Sequence, residues 1–248
     1  MIRLRDVHKS FGSNHVLRGV SLEVPKGQNL VVIGGSGTGK SVLLKTILGL
    51  VPQDKGSILV DGAELTAANR DDFLQTFGML FQGGALFDSL KIWENVAFRL
   101  LRGPKKRPRE EARALAIEKL GRVGLPERVA DLYPAELSGG MQKRVSLARA
   151  IAADPSIIFF DEPTTGLDPI MSGVINDLIR GLVTEMGATA ISITHDMTSV
   201  RAIADQVCML YQGRVQWLGP VADLDHSGDP YVDQFINGRP EGPIATLR

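Results

Sequence analysis

The chain has 248 residues, 44% of them hydrophobic and 23% charged, which fits an ordinary globular fold and excludes a fibrous or low-complexity one. Lysine plus arginine and aspartate plus glutamate each number 28, so no net charge draws the molecule onto nucleic acid or anionic lipid. One cysteine, Cys208, excludes an internal disulfide and a cysteine-rich metal site, and points to a reducing setting. Charges within the first ten positions replace the apolar run of a secretory signal, so no export signal is expected. Apolar stretches such as 30–33 and 157–160 fall far short of the ~20 residues that cross a bilayer. Any membrane role is therefore expected to run through a partner.

Residues 16–24 alternate as a strand and stop at Pro25-Lys26-Gly27, and 29–33 read as a buried strand running into a glycine cluster. A helix from Lys40 to about Leu48 follows. Segments 57–60 and 212–218 read as hairpin pieces, with Asp61-Gly62 and Gln212-Gly213 as turns. Between 92 and 153 the strand signal fades. Ala112, Leu115, Ala116, Lys119 and Leu120 recur at helical spacing in 108–123, and 141–151 reads as another helix, so 92–153 is expected to be a helical insert. Strands return at 157–160, 188–193 and 207–210, separated by helices that start near Pro169 and Met197. This alternation predicts an α/β fold with a parallel sheet covered on both faces, beside small antiparallel elements. From Asp229, Tyr231, Phe235 and Ile236 predict a short helix, and Gly238, Pro240 and Gly242-Pro243 an extended tail. The expected organisation is one domain over 1–228 and a C-terminal extension over 229–248.

The strongest chemical signal is Gly34-Gly35-Ser36-Gly37-Thr38-Gly39-Lys40-Ser41, which fits G-x-x-x-x-G-K-[ST] between a strand and a helix. Glycines let successive backbone N–H groups turn inward, and the helix start adds partial positive charge. Lys40 supplies a point charge to β and γ phosphates, and the Ser41 hydroxyl can ligate Mg²⁺. A bare Gly-rich helix cap is the competing reading, which the strand-loop-helix setting disfavours. Next, the strand 157–160 runs into Asp161-Glu162-Pro163. Asp161 is placed to hold the water shell of Mg²⁺, and Glu162 to take a proton from an attacking water. Taken alone, the same pair is a solvated acidic strand end. At Leu137-Ser138-Gly139-Gly140-Met141, Ser138 reads as an N-cap, but two glycines directly after a cap suit close approach of a phosphate.

The phosphate loop, LSGG, the carboxylate pair and a later histidine, in this order, resemble the ATP-binding subunits of ABC transporters over roughly residues 1–220. The resemblance implies a P-loop, RecA-like α/β core with a small antiparallel β subdomain and an inserted α-helical subdomain. It also implies ATP and Mg²⁺, and a head-to-tail pair of copies that sandwich each ATP. Phe11 resembles the aromatic that stacks on adenine and Val16 its apolar neighbour. Gln82 resembles the glutamine that joins Mg²⁺ and the attacking water to the permease. Ser138, Gly139 and Gly140 would clamp the γ-phosphate in trans, Asp168 matches the subunit-contact loop, and His195 matches the histidine at the γ-phosphate. Each has a bland counterpart: Phe11 as core, Gln82 as a loop residue, Asp168 as an N-cap before Pro169, and His195 as a structural imidazole. Met141 departs from the glutamine of the common signature.

The runs 34–42, 81–90, 137–141, 167–170 and 194–197, with the tail from Asp229, are most similar to the ATPase of Mla-type, MCE-associated phospholipid transporters of Gram-negative bacteria. That resemblance implies a polytopic permease and an MCE-domain protein as partners, no nucleic acid, and a peripheral place on the cytoplasmic side of the inner membrane. It implies a tail that reaches the second subunit. Phe87, Ile92, Trp93 and Phe98 would line a groove for a permease helix, or else be core. The basic run 102–109 is followed by Glu110-Glu111 and reads as a solvated loop rather than a headgroup site. Competing functions are the ATPase of an importer for another substrate, a soluble ABC-type ATPase acting on nucleic acid or ribosomes, and a P-loop kinase, for which no acceptor-binding segment is evident.

Overall fold

The computed structural model describes residues 1–103 and 106–245. The chain divides into two compact units, Met1–Gln75 with Ile191–Arg248, and Thr76–Ala190. The first unit begins with β1 (Ile2–Phe11), β2 (Asn14–Val24), β3 (Asn29–Ile33), α1 (Lys40–Ile47), β4 (Lys55–Val60) and β5 (Ala63–Glu64), and leaves through α2 (Arg70–Thr76). β1, β2, β4 and β5 form an antiparallel sheet in the order β2-β1-β4-β5. β1 is absent from the sequence expectation for a physical reason. Its inward set Ile2, Leu4 and Val7 loses alternation at Asp6, whose φ of 47° marks a bulge where the register with β2 shifts.

The second unit carries β6 (Phe77–Leu80), α3 (Ile92–Val96), α4 (Arg109–Arg122), α5 (Gly139–Ile151), β7 (Ile157–Asp161) and α6 (Pro169–Met186). The expected helical insert lies wholly within it, where α3, α4 and α5 pack on one another and Trp93, Val96, Ala112, Ala116, Leu120 and Leu147 are buried. β6 runs parallel to β7, from Phe77 opposite Ile157 to Leu80 opposite Phe160. Only four residues long and carrying a glycine, β6 gives no periodic signal. That glycine is required by crowding: a Cβ on Gly78 would lie 2.1 Å from the Ala150 carbonyl oxygen of α5. Gly78→Ala is therefore expected to cost about 1–3 kcal/mol, because backbone rather than a side chain must move. Thermal denaturation should show the midpoint falling by several degrees; an unchanged midpoint would contradict the packing.

β8 (Thr189–Ile193) lies at the boundary in the chain and returns it to the first unit, which ends with α7 (Met197–Ile203), β9 (Gln206–Tyr211), β10 (Arg214–Pro220) and α8 (Pro230–Ile236). β3 pairs in parallel with β9, Leu30 opposite Gln206 through Ile33 opposite Met209. All five residues of β3 are buried, as its unbroken apolar run predicts. Asn29 anchors its start by donating its side-chain amide to Ile203 O at 3.0 Å and accepting from Ser192 Oγ at 3.0 Å. β9 and β10 form the expected hairpin, with Gln212 and Gly213 both left-handed as a tight turn demands. Cys208 lies inside β9 and is fully buried, which pushes its thiol up to about 12.

The C-terminal segment folds back on its own helix. Asp229 caps α8, and the buried Gln234 donates to the carbonyls of Arg239 and Ile244, both at 3.2 Å, while the Ile244 N–H donates to Gln234 Oε1 at 2.7 Å. The last three residues of the tail expectation, Thr246, Leu247 and Arg248, lie outside the described residues. Among the described residues no helix is long and apolar enough to cross a membrane.

Candidate functional site

In the first unit the phosphate loop joins β3 to α1. Gly34 is buried, and a Cβ there would lie 2.3 Å from the Leu210 carbonyl oxygen of β9, so the loop can leave the strand only through glycine. Lys40 Nζ donates to Gly34 O at 2.6 Å and Gly35 O at 2.8 Å, and Thr38 Oγ1 donates to Gly35 O at 2.9 Å. These bonds curl the loop over the start of α1. Gly39 caps α1 without a side-chain acceptor, and the first turn holds no acidic residue. The positive dipole end thus meets no acidic side chain from its own first turn and suits an external anion. A cradle of glycine backbone, one ammonium group and an undecorated helix start fits a polyphosphate.

Val16 packs under this loop, where its Cγ1 would touch a Cβ placed on Gly39 at 3.3 Å. Phe11 stands at the tip of β1 with 52% of its surface exposed, and Lys9 Nζ lies 5.5 Å from its ring centroid. A core role for Phe11 is thereby removed. Ser36, Gly37 and Ser41 are exposed. His195 is also exposed, directly after β8, and the next residue, Asp196, caps α7 through Thr198 N at 3.0 Å.

In the second unit β7 delivers Asp161 and Glu162, both half-buried. Glu162 has φ 49°, a left-handed conformation unusual for a side chain of its size. Its carboxylate accepts from Thr165 Oγ1 at 3.0 Å and its carbonyl accepts from Lys143 Nζ at 3.2 Å. Lys143 is buried on α5; burial pushes its pKa down, while the charges of Glu162 and Asp161 pull it back up. Ser138 caps α5 by accepting from Met141 N at 3.4 Å, so the helix starts at Gly139, two residues before the sequence pattern suggests. A Cβ on Gly139 would stand in open space, whereas one on Gly140 would lie 2.7 Å from Met171 Cε of α6. Gly140 thus meets only the flexible end of Met171, which can move aside, and among the described residues packing requires neither position to be glycine. Asp168 is exposed and caps α6, accepting from Ile170 N and Met171 N at 3.0 Å each. This unit thus joins the LSGG segment to the Asp161–Asp168 stretch.

Gln82 is exposed at the start of a loop suspended from α5. Ser146 Oγ donates to Gly84 O at 2.9 Å, and Arg149 donates to Gly84 O and Ala85 O, both at 2.7 Å. The fully buried Asn95 fixes the rest, accepting from Phe87 N at 2.7 Å and donating to the carbonyls of Phe87, Leu90 and Lys91. The four apolar residues expected to line a groove divide by burial. Ile92 and Trp93 are core, while Phe87 is 42% exposed and stacks on Phe98 at 4.4 Å. In the basic run, Pro104 and Lys105 lie outside the described residues. Arg102 sits 3.8 Å over Phe98, Arg107 pairs with Glu111, and Arg109 pairs with Glu94 at 2.6 Å.

Sequence reasoning missed Lys143, Ser146, Arg149 and Asn95. A signal for Lys143 existed: Lys143, Ser146, Leu147 and Ala150 follow i, i+3, i+4, i+7 on the buried face of α5, where a cation requires a partner.

The ABC transporter family model matches residues 17–165. A probable ribonucleotide transport ATP-binding protein, mkl of Mycobacterium leprae (strain TN), is 41% identical over 246 residues, covering 98% of this chain and 70% of that protein. The intermembrane phospholipid transport system ATP-binding protein MlaF of Escherichia coli (strain K12) is 38% identical over 247 residues, covering 98% of this chain and 91% of that protein. Among solved structures, a dimeric ATP-binding cassette in a post-hydrolysis state with ADP and Pi superposes with a TM-score of 0.80 at 32% identity, covering 89% of this chain and 99% of that one. The phosphate loop, the LSGG helix start and the carboxylate-tipped strand thus stand in a chain that belongs to the ABC transporter family, as one of its ATP-hydrolysing cassettes.

Proposed function

We propose that two copies of this chain close head to tail around two ATP molecules and power a permease that moves phospholipid between the inner and outer bacterial membranes. The observation that carries this reading is the 38% identity to MlaF across 91% of that protein, because it extends through the C-terminal extension as well as the catalytic motifs. An MCE-domain protein completes the assembly, and the chain sits peripherally on the cytoplasmic side of the inner membrane, touching the bilayer only through the permease. The extension, 229–248, contacts the second copy, and the Gln234 clasp supplies it with a preformed shape.

In this mechanism Phe11 stacks on adenine beside Val16. The loop from Gly34 to Ser41 wraps the phosphates, and Lys40 exchanges the carbonyls of Gly34 and Gly35 for phosphate oxygens. Ser138, Gly139 and Gly140 of the opposite copy close over the γ-phosphate, which His195 also contacts, and Asp168 touches the facing subunit. Glu162 takes the proton from the attacking water, which Gln82 orients. Mg²⁺ would be held by Ser41, Gln82 and Asp161 and, when bound, neutralises charge on the phosphate oxygens. The donor set is suitable, because an exposed serine hydroxyl and a half-buried carboxylate are hard oxygen ligands.

The name of the 41% identical relative favours a second substrate reading, ribonucleotide, with the same motor. Purification of the intact complex from detergent-solubilised membranes decides between them. A permease with an MCE-domain protein, and an ATPase stimulated by phospholipid, is expected. Stimulation by ribonucleotide without an MCE partner would transfer the proposal to the second reading, and a nucleic-acid-processing partner would overturn both.

A further inference from the structure

Resting on the reading of Glu162 as the base, we infer that Lys143 is a positioning residue that sets the Glu162 carboxylate in place from beneath, within the same subunit. Lys143 projects from the buried face of α5 and is only 6% exposed, yet it spends its ammonium on a backbone carbonyl, that of Glu162, at 3.2 Å. A buried cation is costly unless partners compensate it, and the partners of Lys143 lie at the tip of β7: the Glu162 carbonyl and the charges of Glu162 and Asp161. Glu162 is the residue that needs holding: at φ 49° it occupies a region disfavoured for a non-glycine residue, which persists only when neighbours enforce it. The side chain departs from that same Cα, so the peptide that Lys143 grips determines where the carboxylate points. Thr165 Oγ1 grips the carboxylate, at 3.0 Å on Glu162 Oε2, and the Thr165 N–H joins Lys143 on the Glu162 carbonyl at 3.4 Å. Lys143 thus acts on the backbone of Glu162 and the Thr165 hydroxyl on its carboxylate.

The placement on α5 adds meaning. Ser138 and Gly139 open the same helix, and Lys143 follows a little more than one turn later on its buried side. The segment offered to a neighbour's nucleotide and the clamp on this copy's own base are thus parts of one rigid element.

The test uses the assembled transporter and four proteins: Lys143→Met, Lys143→Arg, Glu162→Gln and the double variant Lys143→Met with Glu162→Gln. Lys143→Met is expected to lower kcat roughly tenfold or more, up to the 10²–10⁴ that a general base supplies. Affinity for a fluorescent ATP analogue should stay within about twofold of wild type, as for a group acting only on the chemical step. Lys143→Arg, which keeps N–H donors, should restore most of the rate. On the Glu162→Gln background the methionine should cost nothing further, because both changes act through one carboxylate. Lys143→Leu replaces the methionine variant if that protein does not fold. Wild-type kcat in the apolar variant beside an inactive Glu162→Gln would discard the role of Lys143 alone. Parallel losses of rate and affinity that arginine fails to restore would mark a purely structural lysine and also discard it. Full turnover in Glu162→Gln would overturn the reading of Glu162 itself.

Discussion

Lys40→Ala is expected to weaken ATP binding roughly 10- to 100-fold and to leave turnover at background. Hydrogen bonds to a charged group contribute about 1.5–3 kcal/mol each, and every 1.4 kcal/mol is a factor of ten. Alanine also removes the bonds that Lys40 makes to the Gly34 and Gly35 carbonyls, so the loop loses both its charge and the tie that curls it. Lys40→Arg separates these effects, since it keeps the charge but not the compact ammonium that fits between two carbonyls and a phosphate. It is expected to bind ATP better than Lys40→Ala and to turn it over poorly. Titration with a fluorescent ATP analogue and a phosphate-release assay read both quantities. Wild-type affinity in Lys40→Ala would remove the loop from the nucleotide site.

Glu162→Gln is expected to behave in the opposite way: ATP stays bound while kcat falls by about 10²–10⁴. Glutamine matches the carboxylate in size and can still accept the Thr165 hydroxyl, but it cannot take a proton from water. The retained triphosphate should hold two copies together, so sedimentation in ATP should show a dimer that wild type forms only transiently. A monomer under saturating ATP, with turnover abolished, would keep the base and discard the shared nucleotide site.

The parts of the fold that sequence revealed were those whose signals are local. β3 and β7 are unbroken apolar runs, α4 and α5 repeat at helical spacing, and Gln212-Gly213 marks its hairpin. The phosphate loop and the carboxylate-tipped strand were legible because their chemistry needs fixed residue types at fixed spacing. What escaped depends on contacts distant in sequence. β1 is hidden by the bulge at Asp6, and β6 by its brevity and by the demand of the Ala150 carbonyl for glycine at position 78. Ile92 and Trp93 carry the same apolar character as Phe87 and differ only in what packs over them. Asn95 reads as an ordinary helical asparagine until its bonds to the loop above are seen.

The burial of Cys208 within β9 has a practical consequence. Its sulfur, protonated at neutral pH and sealed from solvent, is inert toward maleimides, which attack thiolates. A spin label or fluorophore can therefore be installed at a cysteine introduced at an exposed position without first deleting the native one, and distances between probes on two copies would test the proposed opening and closing in solution.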